Sequence, residues 1–195
     1  NRCNGFNNEL DDTDIKQFYF NMVGGSGFSS NDGVASWGGV DSVDLFFVAT
    51  HGGAVQDGKP AHTAWLVLWA VNGSTSSSTW RFGDNARRVK IFSQYACETL
   101  RIDDFAFDRW DQVFRGGLYL ATGSHDTLYA GYYTDDVGAD YADSLQSGVS
   151  VKWAWFDGLW DAFTDQDVAI YASSGGDLSE CKGRRDFMSW QNVTT

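Results

Sequence analysis

The chain has 195 residues, 43% hydrophobic and 16% aromatic, enough apolar material for one domain with a substantial core and too much for a disordered chain. Its formal net charge is −12, from 23 Asp and 3 Glu against 14 Lys plus Arg. That balance repels nucleic acid and anionic membranes, and no apolar run reaches the roughly 18–20 residues of a membrane span.

In chain order, residues 1–10 read as a polar arm. Asp12 and Thr13 can cap a helix that carries Ile15, Phe18, Tyr19 and Met22 on one face and stops at Gly24-Gly25. A Gly/Ser/Asn-rich loop follows to residue 42, so positions 1–40 form an arm, helix and loop packed on the main body. Val43–Ala49 is an apolar run of the kind buried on both faces of a parallel sheet. It ends at His51-Gly52-Gly53, after which residues 52–62 read as a loop. Ala64–Val71 is a second strand, and NGSTSSST (72–79) a flexible turn.

Val89–Ser93 is a third strand, ending just before Cys97. Asp103 or Asp104 caps a helix bearing Phe107, Trp110, Val113 and Phe114, stopped by Gly116-Gly117. Leu118–Thr122 is another strand. Two helices are expected over 136–147 and 151–163, and Val168–Ala172 is a last strand before a polar tail. The aromatic set Trp153, Trp155, Phe156, Trp160 and Phe163 reads mainly as core, with a peptide or glycan groove as the sharper alternative. Strands that are apolar throughout and alternate with helices predict an α/β protein with a mostly parallel central sheet, in one domain spanning 1–195.

The three cysteines are Cys3, Cys97 and Cys181. Sequence allows three single pairings. A Cys3–Cys181 disulfide tying the two ends is the favoured one; it implies an oxidising compartment and leaves Cys97 as a free thiol. A chain that begins at Asn1 fits a processed leader, so an extracellular or cell-surface location is expected. Asn72 and Asn192 head Asn-x-Ser/Thr triplets, candidate glycosylation positions. The acidity is dispersed and reads as solubility outside the cell or in high salt. A structural calcium ion among carboxylates is the alternative, but no stretch has EF-hand spacing and no ligands are assigned. His51, His62, His125 and Cys97 match no compact zinc pattern. No metal and no other cofactor is therefore assigned.

In an open parallel sheet, ligands bind at the carboxyl ends of the strands. His51 and Cys97 both follow such ends. A thiol beside an imidazole is the minimum apparatus for acyl transfer: the thiolate attacks a carbonyl carbon and the imidazole carries the proton to the leaving amine. The N–H groups of Gly52 and Cys97 are the candidate oxyanion donors. Gln94, Glu98, His125 and Asp126 are candidate lining residues. Adjacent Ser124-His125-Asp126 cannot make a serine triad. Asp57 and Asp126 would suit a basic side chain in a first substrate pocket.

The segments FFVATHGG and IFSQYACET resemble the His-Gly and Ala-Cys blocks of the caspase-like cysteine peptidases, the group of caspases, legumains, gingipains and separases. YACET is similar to the Glu-Ala-Cys-Glu-Ser block of legumains, and the 46-residue separation lies in the range that the group uses. RWDQVFRGGLYLATGSHD (109–126) and ADYADSLQSGVSVKWAW (139–155) resemble more narrowly the DUF6345 type of caspase-like domain, over about residues 40–160. The resemblance implies a three-layer α/β sandwich, Cys97 as nucleophile and His51 as proton-transfer group, in a secreted peptidase or related acyl transferase. The expected partner is a peptide or protein substrate, with self-association allowed and neither nucleic acid nor membrane insertion expected. One departure stands out. Many active members carry a glycine one or two places after the cysteine, and here Glu98, Thr99 and Leu100 follow. The alternative is therefore a catalytically silent domain on the same fold, serving as an extracellular binding, surface or filament protein.

Overall fold

The computed structural model describes Phe6, Glu9 and residues 39–54, 63–68, 73–82, 89–114, 118–128, 136–162, 168–173 and 188–193. A short 3-10 turn, Val40–Ser42, leads into strand β1, Leu45–Ala49. Then come β2 (Gly52–Ala54), β3 (Ala64–Leu68), β4 (Gly73–Ser76), β5 (Ile91–Tyr95), helix α1 (Ala106–Phe114), β6 (Leu120–Ser124), α2 (Val137–Gln146), α3 (Val151–Ala162), β7 (Val168–Ser173) and β8 (Met188–Val193). The expected helix over residues 13–22 lies outside the described residues, as do Cys3, Cys181 and Asn72.

The strands form an open five-stranded sheet in the order β1-β5-β6-β7-β8 and a separate three-stranded sheet, β2-β3-β4. β1, β5 and β6 run parallel. β7 and β8 are antiparallel additions, with Asn192 of β8 opposite Ala169. The mixed helix–strand architecture, with parallel β1, β5 and β6 in an open sheet, is thus the α/β class that the apolar runs predict.

Alternation along each strand sends successive side chains to opposite faces, and two hydrophobic clusters result. Phe46, Phe92 and Ala121 join Trp80, Phe82, Trp110, Val113, Phe114 and Leu66 in the first. Phe47, Ala49, Ile91, Tyr95 and Leu120 join Tyr141, Trp155, Leu159 and Leu128 in the second. Both faces of β1 and β5 are therefore covered, which is why their sequences are apolar without interruption. In the first cluster Phe92 stands 4.7 Å from Phe82 and 5.6 Å from Trp80, ring centre to ring centre, and Trp80 and Trp110 meet edge to face at 5.5 Å. Such pairs contribute about 0.5–1.5 kcal/mol each beyond area burial.

The predicted aromatic set on α3 divides. Trp155 and Phe156 are buried, whereas Trp153 and Trp160 are 54% and 52% exposed. Gly158 is where α3 meets α2. A Cβ there would lie 3.1 Å from both the Tyr141 nitrogen and the Val137 oxygen, so the glycine allows the two backbones to approach.

The tail expected to hold no strand after Val168–Ala172 contains β8, Met188–Val193, and three further features differ from expectation. The stretch read as a flexible turn after residue 72 contains β4, because Ser and Thr in an edge strand satisfy their backbone through the ladder to β3. Gly52–Ala54, read as loop, is the hairpin partner of β3. β1, β5 and β6 also start two residues later than the apolar runs, and in the last two cases Val89 and Leu118 are fully buried yet lie outside the ladder.

The second cluster encloses one hydrogen bond between side chains. Ser93 Oγ and Tyr141 Oη are 2.8 Å apart and both residues are fully buried. Burial pushes the Tyr141 phenol far above its usual ionisation range, although the Ser93 bond opposes the shift. We expect Tyr141→Phe to cost about 1–2 kcal/mol in urea unfolding, because Ser93 then keeps an unsatisfied hydroxyl in the core. Adding Ser93→Ala should recover part of that loss, a coupling measurable as a double-mutant cycle.

Candidate active site

The site is set by the ladder between β1 and β5. Its register pairs Leu45 with Ile91 and ends with Ala49 opposite Tyr95. The Thr50 N–H continues it by donating to the Tyr95 carbonyl at 3.1 Å. His51 and Cys97 are each the second residue beyond that last pair, so the parallel sheet delivers both at the same height on its carboxyl edge. His51 is exposed. Cys97 is half-buried, a free thiol packed against the second cluster, and its Sγ–H donates to the Leu128 carbonyl at 3.5 Å.

Gly52 opens β2. Ala64 directs its N–H to Ser77 Oγ and receives the Ser77 N–H, both toward β4. By the alternation of antiparallel pairs, Trp65 bonds toward β2 through Gly53. Gly52 then points its N–H away from β3, at the outer edge of the hairpin.

Directly after Cys97 the backbone turns left-handed: Glu98 has φ +50°. A non-glycine residue there costs of order 1–3 kcal/mol and persists only where its surroundings hold it. Three hydrogen bonds fix the turn. The N–H groups of Glu98, Leu100 and Ile102 donate to the Asp126 carbonyl (3.1 Å), the Ser124 carbonyl (3.0 Å) and His125 Nδ1 (2.8 Å). Gly123 permits this contact, since a Cβ would sit 2.8 Å from Thr99 Oγ1 and 3.0 Å from Leu100 Cγ.

The lining candidates separate accordingly. His125 is engaged with Ile102 rather than paired with Cys97. Asp126 is exposed, its Oδ1 accepting the Thr127 N–H at 2.6 Å. Glu98 lies 3.7 Å from Arg101 in a surface ion pair worth little on its own. Gln94 is fully buried in β5, and its side-chain amide has no hydrogen-bond partner among the described residues.

A buried arginine braces the same loop, which sequence reading missed. Arg109 of α1 is 1% exposed; it donates to the Arg101 carbonyl at 2.6 Å and is paired with Asp103. Trp110 Nε1 donates to the Thr99 carbonyl at 2.9 Å. Asp103 Oδ1 also accepts the Phe105 N–H at 2.9 Å, in the turn that precedes α1 rather than at its N-cap. No local pattern marks Arg109, although a charged residue between Phe107 and Trp110 on an amphipathic helix is a weak signal.

Among the described residues no group of three or more His, Cys, Asp or Glu is placed to hold a metal ion. No helix among them is long and apolar enough to cross a membrane.

These features define an α/β protein whose open sheet brings a histidine and a free cysteine to one carboxyl edge. Residues 1–186 match the family described as Domain of unknown function (DUF6345), and the chain belongs to that family. No curated protein and no solved structure matches it.

Burial raises the Asp103 carboxyl, but the Arg109 bond, the Phe105 N–H and the Arg109 and Arg101 charges outweigh it and hold the group below the usual carboxylate range. A carboxyl depressed by folding stabilises above its unfolded pKa, and the gain is lost as pH falls through the folded value. Asp103→Asn should therefore lower the melting temperature at neutral pH. The gap to wild type should close progressively once the pH falls below about 4. Asp103→Ala, which leaves Arg109 uncompensated, should cost more, about 3–5 kcal/mol.

Proposed function

We propose that the protein is a secreted cysteine peptidase or related acyl transferase of caspase-like, three-layer architecture, with Cys97 as nucleophile and His51 as general base and acid. The observation that carries the reading is the β1–β5 register, which sets both residues at equivalent positions past adjacent parallel strands. The hydrophobic clusters on both sheet faces and the outward Gly52 N–H support it.

In the proposed reaction the thiol rotates away from the Leu128 carbonyl and gives its proton to His51. The thiolate attacks the substrate carbonyl carbon, and the Gly52 and Cys97 N–H groups receive the oxyanion. The C–N bond breaks as His51 returns the proton to the leaving amine. Water, deprotonated by His51, then hydrolyses the thioester, or an acceptor amine takes the acyl group. Asp126, exposed beside the loop, favours substrates with a basic side chain. The Cys3–Cys181 disulfide and an extracellular location complete the proposal.

A second reading also rests on a specific observation. Half-buried Cys97 donates to Leu128 and packs against the second cluster, and Trp153 and Trp160 present half-exposed rings to solvent. A catalytically silent extracellular binding or surface protein would look the same.

Turnover of a peptide library separates the two. On the peptidase reading, Cys97→Ala abolishes cleavage and His51→Ala slows it about 10²–10⁴-fold. Iodoacetamide then labels Cys97 in the native protein, more slowly after His51→Ala. Native Cys97 that stays unlabelled while the urea-unfolded chain reacts, together with no turnover, leaves the binding reading standing.

A further inference from the structure

The block Gly123-Ser124-His125-Asp126 closes β6 and runs two residues past it, and it contains a histidine at the sheet edge where a base or ligand would stand. Its hydrogen bonds give it a different task. The loop from Glu98 to Ile102 belongs to no helix or strand, yet every second N–H along it ends on this block: Glu98 on the Asp126 carbonyl, Leu100 on the Ser124 carbonyl, Ile102 on His125 Nδ1. The block is itself braced. Ser124 Oγ donates to the Asp126 carbonyl at 2.6 Å. From the opposite face, Trp155 Nε1 donates to the Gly123 carbonyl at 3.3 Å.

Two of the three acceptors are backbone carbonyls, which many sequences could supply. The third is a side chain. It serves only as an unprotonated ring nitrogen at the δ position, which fixes the tautomer with the proton on Nε2. Without it, Ile102 would lose its acceptor where Arg101 and Asp103 connect the loop to buried Arg109.

We infer that His125 is a positioning residue: its Nδ1 anchors the far end of the Glu98–Ile102 loop and so holds the left-handed turn at Glu98 that aims Cys97. The anchoring stands on the hydrogen bonds alone; its consequence for catalysis rests on the proposed nucleophile. Asn at this position places Oδ1 near where Nδ1 stands and keeps the acceptor. Phe keeps the ring and removes it.

The 195-residue chain is tested by hydrogen exchange of the loop amides and by the pH–rate profile of Cys97 alkylation with iodoacetamide. His125→Phe should speed exchange at Ile102 and Leu100 at least tenfold and shift the alkylation profile. His125→Asn should return both to within about twofold of wild type. In the wild type, a through-bond coupling between the Ile102 amide nitrogen and Nδ1 should be visible by NMR, which keeps the test decisive should His125→Phe fail to fold. Absence of that coupling, wild-type exchange in His125→Phe, or an Asn variant as loose as Phe overturns the inference. None of these readouts needs turnover, so a Cys97→Ala variant that cleaves normally would remove the peptidase reading and leave the anchor intact.

Discussion

The parallel ladder between β1 and β5 is the constraint on which the rest depends. A strand buried on both faces cannot slip by one residue, because every side chain would move to the wrong cluster. Phe46 stacks with Phe92 on one face at 5.9 Å, and Phe47 packs with Phe6 on the other at 4.6 Å. The aromatic packing that fills the core thus also sets the height at which His51 and Cys97 leave the sheet. Core and site are specified by one register.

Beyond the ladder the chain uses a different kind of control. The Cys97–Asp103 loop has no regular structure and holds an unfavourable backbone angle at Glu98. It keeps its shape because its polar groups are held from two sides, by the end of β6 with the residues that follow it and by Arg109 and Trp110 of α1. The desolvation cost of a buried guanidinium makes Arg109 poor evidence for stability and better evidence for a fixed geometry.

Much of this was legible in the amino-acid sequence, for identifiable reasons. VDLFFVA and VKIFSQY announce strands because a sheet covered on both faces admits no polar interruption, and their ends point to His51 and Cys97. The helices beginning near residues 106, 137 and 151 follow from apolar spacing and stop signals. What did not show was decided by tertiary contacts. The serine-rich β4 has no hydrophobic period, since its partner is a neighbouring backbone. Trp153 and Trp155 look alike in sequence, and only the helix's orientation buries one and exposes the other. The left-handed turn at Glu98 carries no sequence signature because acceptors about 25 residues away impose it. His125 sits after a strand as a ligand or base would, and only the nearby Ile102 N–H reveals its occupation.

The order of strands in the sheet also bears on how the molecule comes into being. β1 and β5 are adjacent in space but 46 residues apart in sequence, with the β2-β3-β4 sheet lying between them along the chain. Closing a loop of that length is entropically costly, and pairings of such separation are slow to form. Until that closure, His51 and Cys97 belong to distant parts of an open coil. A half-folded or nascent chain therefore has not yet brought His51 and Cys97 to one edge, and the chemistry proposed for them awaits the completed sheet.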